Sequence, residues 1–260
     1  MNAPPVEATL RAKRDAGRKL LVPYVTGGIT PDWVHLLQAM AGAGADAIEI
    51  GIPFSDPVMD GPTIQEASER ALRRGATPVS ILQELGAAEH PGIPLVAMTY
   101  YNIVFRAGHR RFARSLHDAG VAGAIVPDVS LEELGPWEAD AAAEGVETTL
   151  LAAPVTPDDR LAELCRRSRG FLYGVNLMGV TGERRSLAES AAVLAKRLKA
   201  ATTLPVVMGF GISTVEQAVA AAAPADGVVV ASALMRRVLD GDGPDAVGRQ
   251  VATLRAALDA

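Results

Sequence analysis

The sequence predicts a single (β/α)8 TIM barrel spanning residues 1–260. Eight short runs are apolar almost throughout, as parallel strands covered on both faces must be. Amphipathic stretches with helix signals separate most of them, so strand and helix alternate along the chain. A length of 260 residues suits one barrel, and no linker of low complexity divides it. A doubly wound open sheet is the alternative. It would usually carry a G-x-G-x-x-G turn after its first strand, where this chain has YVTGGITPD.

The elements follow in order. KLLVPYVT is the first strand and DAIEIG the second, with helical TIQEASERALRRG and SILQELGAA after it. IPLVAMTY leads into RRFARSLHDAG, VAGAIVP into SLEELGPWEADAAAEG, and ETTLLAA into TPDDRLAELCRRS. GFLYGVN precedes SLAESAAVLAKRLKA, and LPVVMGFG and DGVVVAS complete the set. Barrel enzymes place their chemistry at the C-terminal ends of the strands. The residues expected there include Thr26 to Gly28, Glu49 to Gly51, Thr99 to Asn102, Asp128, Pro154 to Thr156, Asn176, Gly209 to Ser213 and Ser232. Most of the strand starts read as ordinary helix-to-strand turns.

A net charge of -5 and a pI near 5.5 leave no basic face to neutralise phosphates in bulk, which argues against nucleic acid or an anionic membrane as the main partner. The one cysteine, Cys165, forms no internal disulfide and reads as a buried structural thiol. The N-terminal stretch has no apolar core of signal-peptide type, and no apolar run is long enough to span a bilayer. A soluble, cytoplasmic protein is expected.

Two chemistries are disfavoured. Of the four lysines, Lys13 and Lys19 precede the first strand while Lys196 and Lys199 lie on a helix, so none is placed for an imine in the barrel mouth. His35, His90, His109 and His117 fall on or near helices without metal-ligand spacing, so no metal site is expected. Carboxylate acid–base chemistry remains.

Glu49 sits between Ile48 and Ile50 in the second strand. Side chains alternate faces, so isoleucines packed beneath the helices turn Glu49 into the mouth. Desolvation there raises a carboxyl pKa towards neutrality, where it can act as both acid and base. A buried ion pair is the competing explanation, and the adjacent strands offer no Arg or Lys for one. Asp60 is balanced between two roles, because D-G-P before TIQEASERALRRG also looks like an aspartate cap with proline in the first turn. Asp56-Pro57 reads as turn chemistry or an exposed docking surface. MGVTGERRS, GFGIS and VVVASAL follow the sixth, seventh and eighth strands. Glycine-bearing loops running into helix N-termini there form the usual phosphate cradle of barrels.

EIGIPFSDPVMDGPTIQ, with MGVTG and GFGIS, resembles the tryptophan synthase alpha chain family, and the likeness extends from VPYVT to the end. The resemblance implies a (β/α)8 barrel that cleaves indole-3-glycerol phosphate to indole and glyceraldehyde 3-phosphate by a retro-aldol step. It implies no cofactor in this chain and a pyridoxal-phosphate-dependent beta chain as partner, in an alpha2beta2 heterotetramer. It makes Glu49 the acid–base group, Asp60 the stabiliser of the ring N–H, and Tyr173 a neighbour of the glycerol. This moves Asp60 towards function. Thr181 would lie in a closing loop, and Tyr24, Tyr100 and Phe210 would line the indole slot. Gly182, Gly211, Ala231 and Ser232 match the phosphate cradle, and Asp56, Pro57 and Ser130 face the beta chain. The chain departs from the family at Ala231, commonly glycine, at Asn176, often serine, and at Ser130, commonly proline. A free-standing lyase releasing indole for another pathway is an alternative. A non-catalytic activating subunit is a third, disfavoured by retention of Glu49, Asp60, Tyr173 and Thr181.

Overall fold

The computed structural model describes residues 3–175, 184–209 and 211–260. Its strands are β1 (Leu20–Thr26), β2 (Ile48–Gly51), β3 (Leu95–Met98), β4 (Gly123–Ile125), β5 (Glu147–Ala152), β6 (Leu172–Val175), β7 (Val206–Gly209) and β8 (Gly227–Val230). All neighbours are parallel, and β8 returns to pair with β1, closing the barrel in sequence order. The open-sheet alternative is thereby excluded. Along β1, Leu20–Pro23 register with β8 and Tyr24–Thr26 with β2, the stagger that a closed barrel requires. Pro23, which has no N–H to donate, falls where one pairing gives way to the other.

The helices among the described residues are α1 (Val6–Asp15), α2 (Val34–Gly42), α3 (Pro62–Arg73), α4 (Pro78–Ala87), α5 (Tyr101–Ala107), α6 (His109–Asp118), α7 (Leu134–Ala143), α8 (Asp158–Arg167), α9 (Arg184–Ala201), α10 (Val215–Ala222), α11 (Ser232–Leu239) and α12 (Pro244–Asp259). Their starts have local causes. Thr77 and Ser80 close a capping box on α4, and Thr214 and Gln217 do so on α10. The segment SLEEL does not open α7 as its composition suggests. Ser130 and Glu133 bond to each other across a turn, and the helix begins only at Leu134.

The strand alternation holds as expected. Leu21, Val25, Ile48, Ile50, Ala97, Val228 and Val230 pack in the outer layer beneath the helices. Leu20, Val22, Ala47, Val96, Tyr173, Val207 and Val229 fill the interior. Helix α1 adds Val6 and Leu10 to that inner cluster and so plugs the N-terminal end of the barrel. Burying each such side chain contributes roughly 1.5–3 kcal/mol. Pro5 gives α1 no side-chain cap. Instead the Glu147 carboxylate, at the start of β5, accepts the N–H groups of Val6 and Glu7 at 2.9 and 2.8 Å. A carboxylate at a helix N-terminus both fills orphan donors and meets the positive end of the dipole.

The N-terminal end is therefore more than a set of plain turns, which corrects the expectation from sequence. Asp46, fully buried one residue before Ala47, forms ion pairs with Lys13 at 3.0 Å, Arg18 at 2.9 Å and Arg255 at 3.1 Å. It also accepts the Leu21 N–H at 2.8 Å. Asp226, just before β8, pairs with Lys199 and accepts the Val206 N–H at 2.8 Å. Lys19 donates to the carbonyls of Ala222 and Ala225 at the end of α10. These lysines are thus occupied at the end of the barrel away from the mouth. Cys165 is buried on α8 in an apolar cluster, and burial pushes its thiol up, as a structural role requires. No helix among the described residues is long and apolar enough to cross a membrane.

Candidate active site

Strand β2 delivers Glu49 to the interior because its flanking isoleucines are outer-layer residues. Glu49 is only 1% exposed, and its Oε2 has no hydrogen-bond partner among the described residues. Burial first, and the Asp60 carboxylate second, push its pKa up to about 8. A carboxyl of that kind holds or releases a proton near neutral pH, as an acid–base group must.

Asp60 lies in the loop between β2 and α3. The capping explanation for it fails, because the N-cap of α3 is Gly61, with Pro62 in the first turn and no side-chain cap. Burial raises the Asp60 pKa, and a hydrogen bond with the Tyr100 hydroxyl opposes that rise. Tyr100 also accepts the Met59 N–H at 3.1 Å and stacks on Phe54 with ring centroids 5.0 Å apart. The Tyr100 phenol is pushed up to about 12, mainly by burial. Phe54, absent from the sequence-derived slot, thus helps to hold the Asp60 loop; its place inside the IPFSD motif was the available signal.

Tyr24 on β1 is the register partner of Glu49, and Tyr173 on β6 faces inward across the barrel. Burial raises both phenols far above their usual range, aided by the field of Asp60 and then Glu49 at Tyr24 and chiefly by that of Glu49 at Tyr173. Both therefore stay neutral donors at physiological pH. Each ring lies over a glycine at the end of the next strand. A Cβ on Gly51 would fall 1.8 Å from the Tyr24 hydroxyl, and one on Gly209 2.6 Å from that of Tyr173. Those two glycines make room for the phenols.

The late strands carry the second half of the site. Gly211 has a φ of +52°, a conformation that favours glycine. The first turn of α10 is occupied by its own capping box, with Gln217 accepting the N–H groups of Ser213 and Thr214. Helix α11 differs. It starts at Ser232 with Ala231 as N-cap and no side-chain cap; the Leu234 and Met235 N–H groups turn back to the Ala231 carbonyl, which leaves those of Ser232 and Ala233 without a partner among the described residues. Ala231 has a φ of −113° and a ψ of −71°, outside the left-handed region that favours glycine. Thr181, Gly182, Phe210 and Asn176 lie outside the described residues.

On the same face, Asp56 is exposed, hydrogen-bonded to Ser55, and Pro57 and Ser130 are half-buried. Val58, Phe105 and Val155 are 75%, 66% and 80% exposed on segments that follow β2, β3 and β5. Among the described residues no group of His, Cys, Asp and Glu is arranged to hold a metal ion.

A closed parallel barrel with two carboxylates and three phenols gathered at its C-terminal mouth is the arrangement of an enzyme of the TIM-barrel class. Residues 10–258 match the family model described as tryptophan synthase alpha chain. The tryptophan synthase alpha chain of Gluconacetobacter diazotrophicus is 46% identical over 253 residues, covering 92% of this chain and 91% of the relative. That of Thermobifida fusca is 42% identical over 250 residues, covering 94% and 92%. A tryptophan synthase structure from Mycobacterium tuberculosis superposes with a TM-score of 0.89 at 36% identity, covering 99% of each chain. The chain belongs to the tryptophan synthase alpha chain family, whose reaction is that of a lyase acting on indole-3-glycerol phosphate.

Proposed function

We propose that Glu49, Asp60 and Tyr173 carry out the retro-aldol cleavage of indole-3-glycerol phosphate in this chain. Protonated Glu49 delivers a proton to the indole ring carbon that bears the glycerol chain. Positive charge then develops on the ring, and the Asp60 carboxylate stabilises the ring N–H. Glu49, now ionised, takes the proton from the adjacent glycerol hydroxyl. The carbon–carbon bond breaks, its electron pair returns to the ring, and the aldehyde of glyceraldehyde 3-phosphate forms. One proton leaves Glu49 and one returns, so a single carboxyl suffices. The protonated ring is the electron sink, so no lysine imine is needed.

Tyr24, Tyr100 and Phe210 line the indole slot, with Thr181 in the loop over it. Ser232, with the free N–H groups at the start of α11, Gly211 and Gly182, holds the phosphate, and the backbone at Ala231 supports that reading without a glycine. The observation that carries the proposal is Glu49: buried, without a cation among the described residues, and pushed up to about 8 by that burial.

The apolar side chains exposed around the mouth support a docking partner, with Asp56, Pro57 and Ser130 at its edge. A beta chain fits this surface, giving an alpha2beta2 assembly in the cytoplasm. On this reading the pyridoxal phosphate belongs to the beta chain and this chain works with side chains alone. The test is turnover of indole-3-glycerol phosphate with and without added beta chain. Equal amounts of indole and glyceraldehyde 3-phosphate, stimulated by orders of magnitude, support it. High turnover of the chain alone would instead support a free-standing lyase.

A further inference from the structure

Glu49 must spend part of its cycle as a carboxylate in a place that strips away its water. Among the described residues no cation answers that charge, and Oε2 is unpartnered. The titratable groups that act on it or are acted on by it are Tyr24 from β1, Asp60 from the loop after β2 and Tyr173 from β6. Tyr100, after β3, is engaged with Met59 and Asp60. Asp60 repels the Glu49 charge, so among these groups the neutral phenols are the ones that can relieve it.

Tyr24 is the phenol built for this. It is the register partner of Glu49 on the adjacent strand, and its side chain shares the inward face. Two residues along the same face, Thr26 is fully buried, and its Oγ1 lies 3.3 Å from the Tyr24 hydroxyl. The Tyr24 oxygen also rests against Gly51, where a Cβ would come within 1.8 Å of it. The phenol therefore ends against strand β2, two residues along the same face from Glu49. A phenol that accepts from Thr26 has its own proton left over, and a polarised hydroxyl donates more strongly.

We propose that Tyr24 is a positioning residue for Glu49: its hydroxyl, oriented by Thr26 and seated on Gly51, supplies the donor that the ionised carboxylate lacks. This rests on the reading of Glu49 as the acid–base group, and it gives Tyr24 and Thr26 a role beyond lining a slot. Thr26 acts through Tyr24, and Tyr24 through Glu49.

The experiment is a pH titration of the Glu49 carboxyl by difference infrared spectroscopy on the full chain, with the band assigned by its loss in Glu49→Gln. Tyr24→Phe keeps the ring and removes the donor. Its expected effect is a rise in the Glu49 midpoint of about one pH unit, a tenfold loss of carboxylate below the midpoint. Thr26→Val should raise it less, and adding Thr26→Val to Tyr24→Phe should change nothing further. An unchanged midpoint in Tyr24→Phe overturns the proposal, whatever happens to melting temperature. Should Tyr24→Phe fail to fold, an unchanged midpoint in Thr26→Val overturns it equally. If Glu49→Gln keeps its turnover, the catalytic reading falls instead, and the titration separates the two failures.

Discussion

Asp46 and Glu49 lie three residues apart, one just before β2 and one within it, and both are buried. Asp46 closes the N-terminal end, where Lys13, Arg18 and Arg255 surround it and the Leu21 N–H completes its shell. Glu49 opens the C-terminal end with no cation among the described residues, an unpartnered oxygen, and a second carboxyl close enough to repel it. The same contrast holds around the barrel. Glu147 and Asp226 at strand starts are paired with backbone N–H groups or lysine, while the mouth collects acids and neutral phenols. A buried carboxylate with a full shell holds structure together, and one without it is kept at a cost that only function explains.

Breaking the contrast from the structural side should give the largest effect on stability. Asp46→Ala leaves three cations facing an empty site, and removing one partner of a buried pair costs about 3–5 kcal/mol. Chemical denaturation should show that loss, with turnover per folded molecule retained. On the mouth side, Asp60→Asn should lower turnover by roughly 10²–10³. Its melting temperature should barely move, because Gly61 and not Asp60 caps α3. Thermal melts alongside steady-state kinetics check both halves. Gly51→Ala sharpens the comparison further, since the added methyl meets the Tyr24 hydroxyl on the strand that carries Glu49. Overpacking of this kind costs about 1–3 kcal/mol, and the displaced phenol should impair turnover beyond that loss. The smallest effect belongs to Ala231→Gly. Alanine already fits the backbone there, so the Michaelis constant and inhibition by glycerol phosphate should change by no more than a few-fold.

Much of this contrast is legible in the sequence, for definite reasons. Period-two alternation in DAIEIG placed Glu49 inward, because a strand admits only two faces. The neighbouring strands hold no Arg or Lys, and no cation meets Glu49 among the described residues. Asp60 was ambiguous because D-G-P suits an aspartate cap as well as a functional carboxylate, and only the backbone, with Gly61 as the N-cap, removes the first. The paired acids at the N-terminal end were missed. The partners of Asp46 come from α1, from the segment before β1 and from α12, at separations of up to 209 residues that no local pattern reveals. Gly51 and Gly209 were read as strand-end glycines, while their reason lies in tyrosines on neighbouring strands.

The most direct measurement is made on Glu49→Gln, with turnover and melting temperature followed together from pH 5 to pH 9. Burial raises the Glu49 pKa to about 8 in the folded chain, above the value near 4.3 of an unfolded glutamate. Between those values the unfolded state holds fewer protons, so stability falls as pH rises. Glutamine removes that penalty. Turnover should drop by on the order of 10²–10⁴, while the variant melts like wild type near pH 5 and gains on it steadily up to about pH 8. Turnover above a tenth of wild type, or a loss of stability at all pH values of the kind expected for Asp46→Ala, would contradict a functional Glu49 and make it one more structural acid.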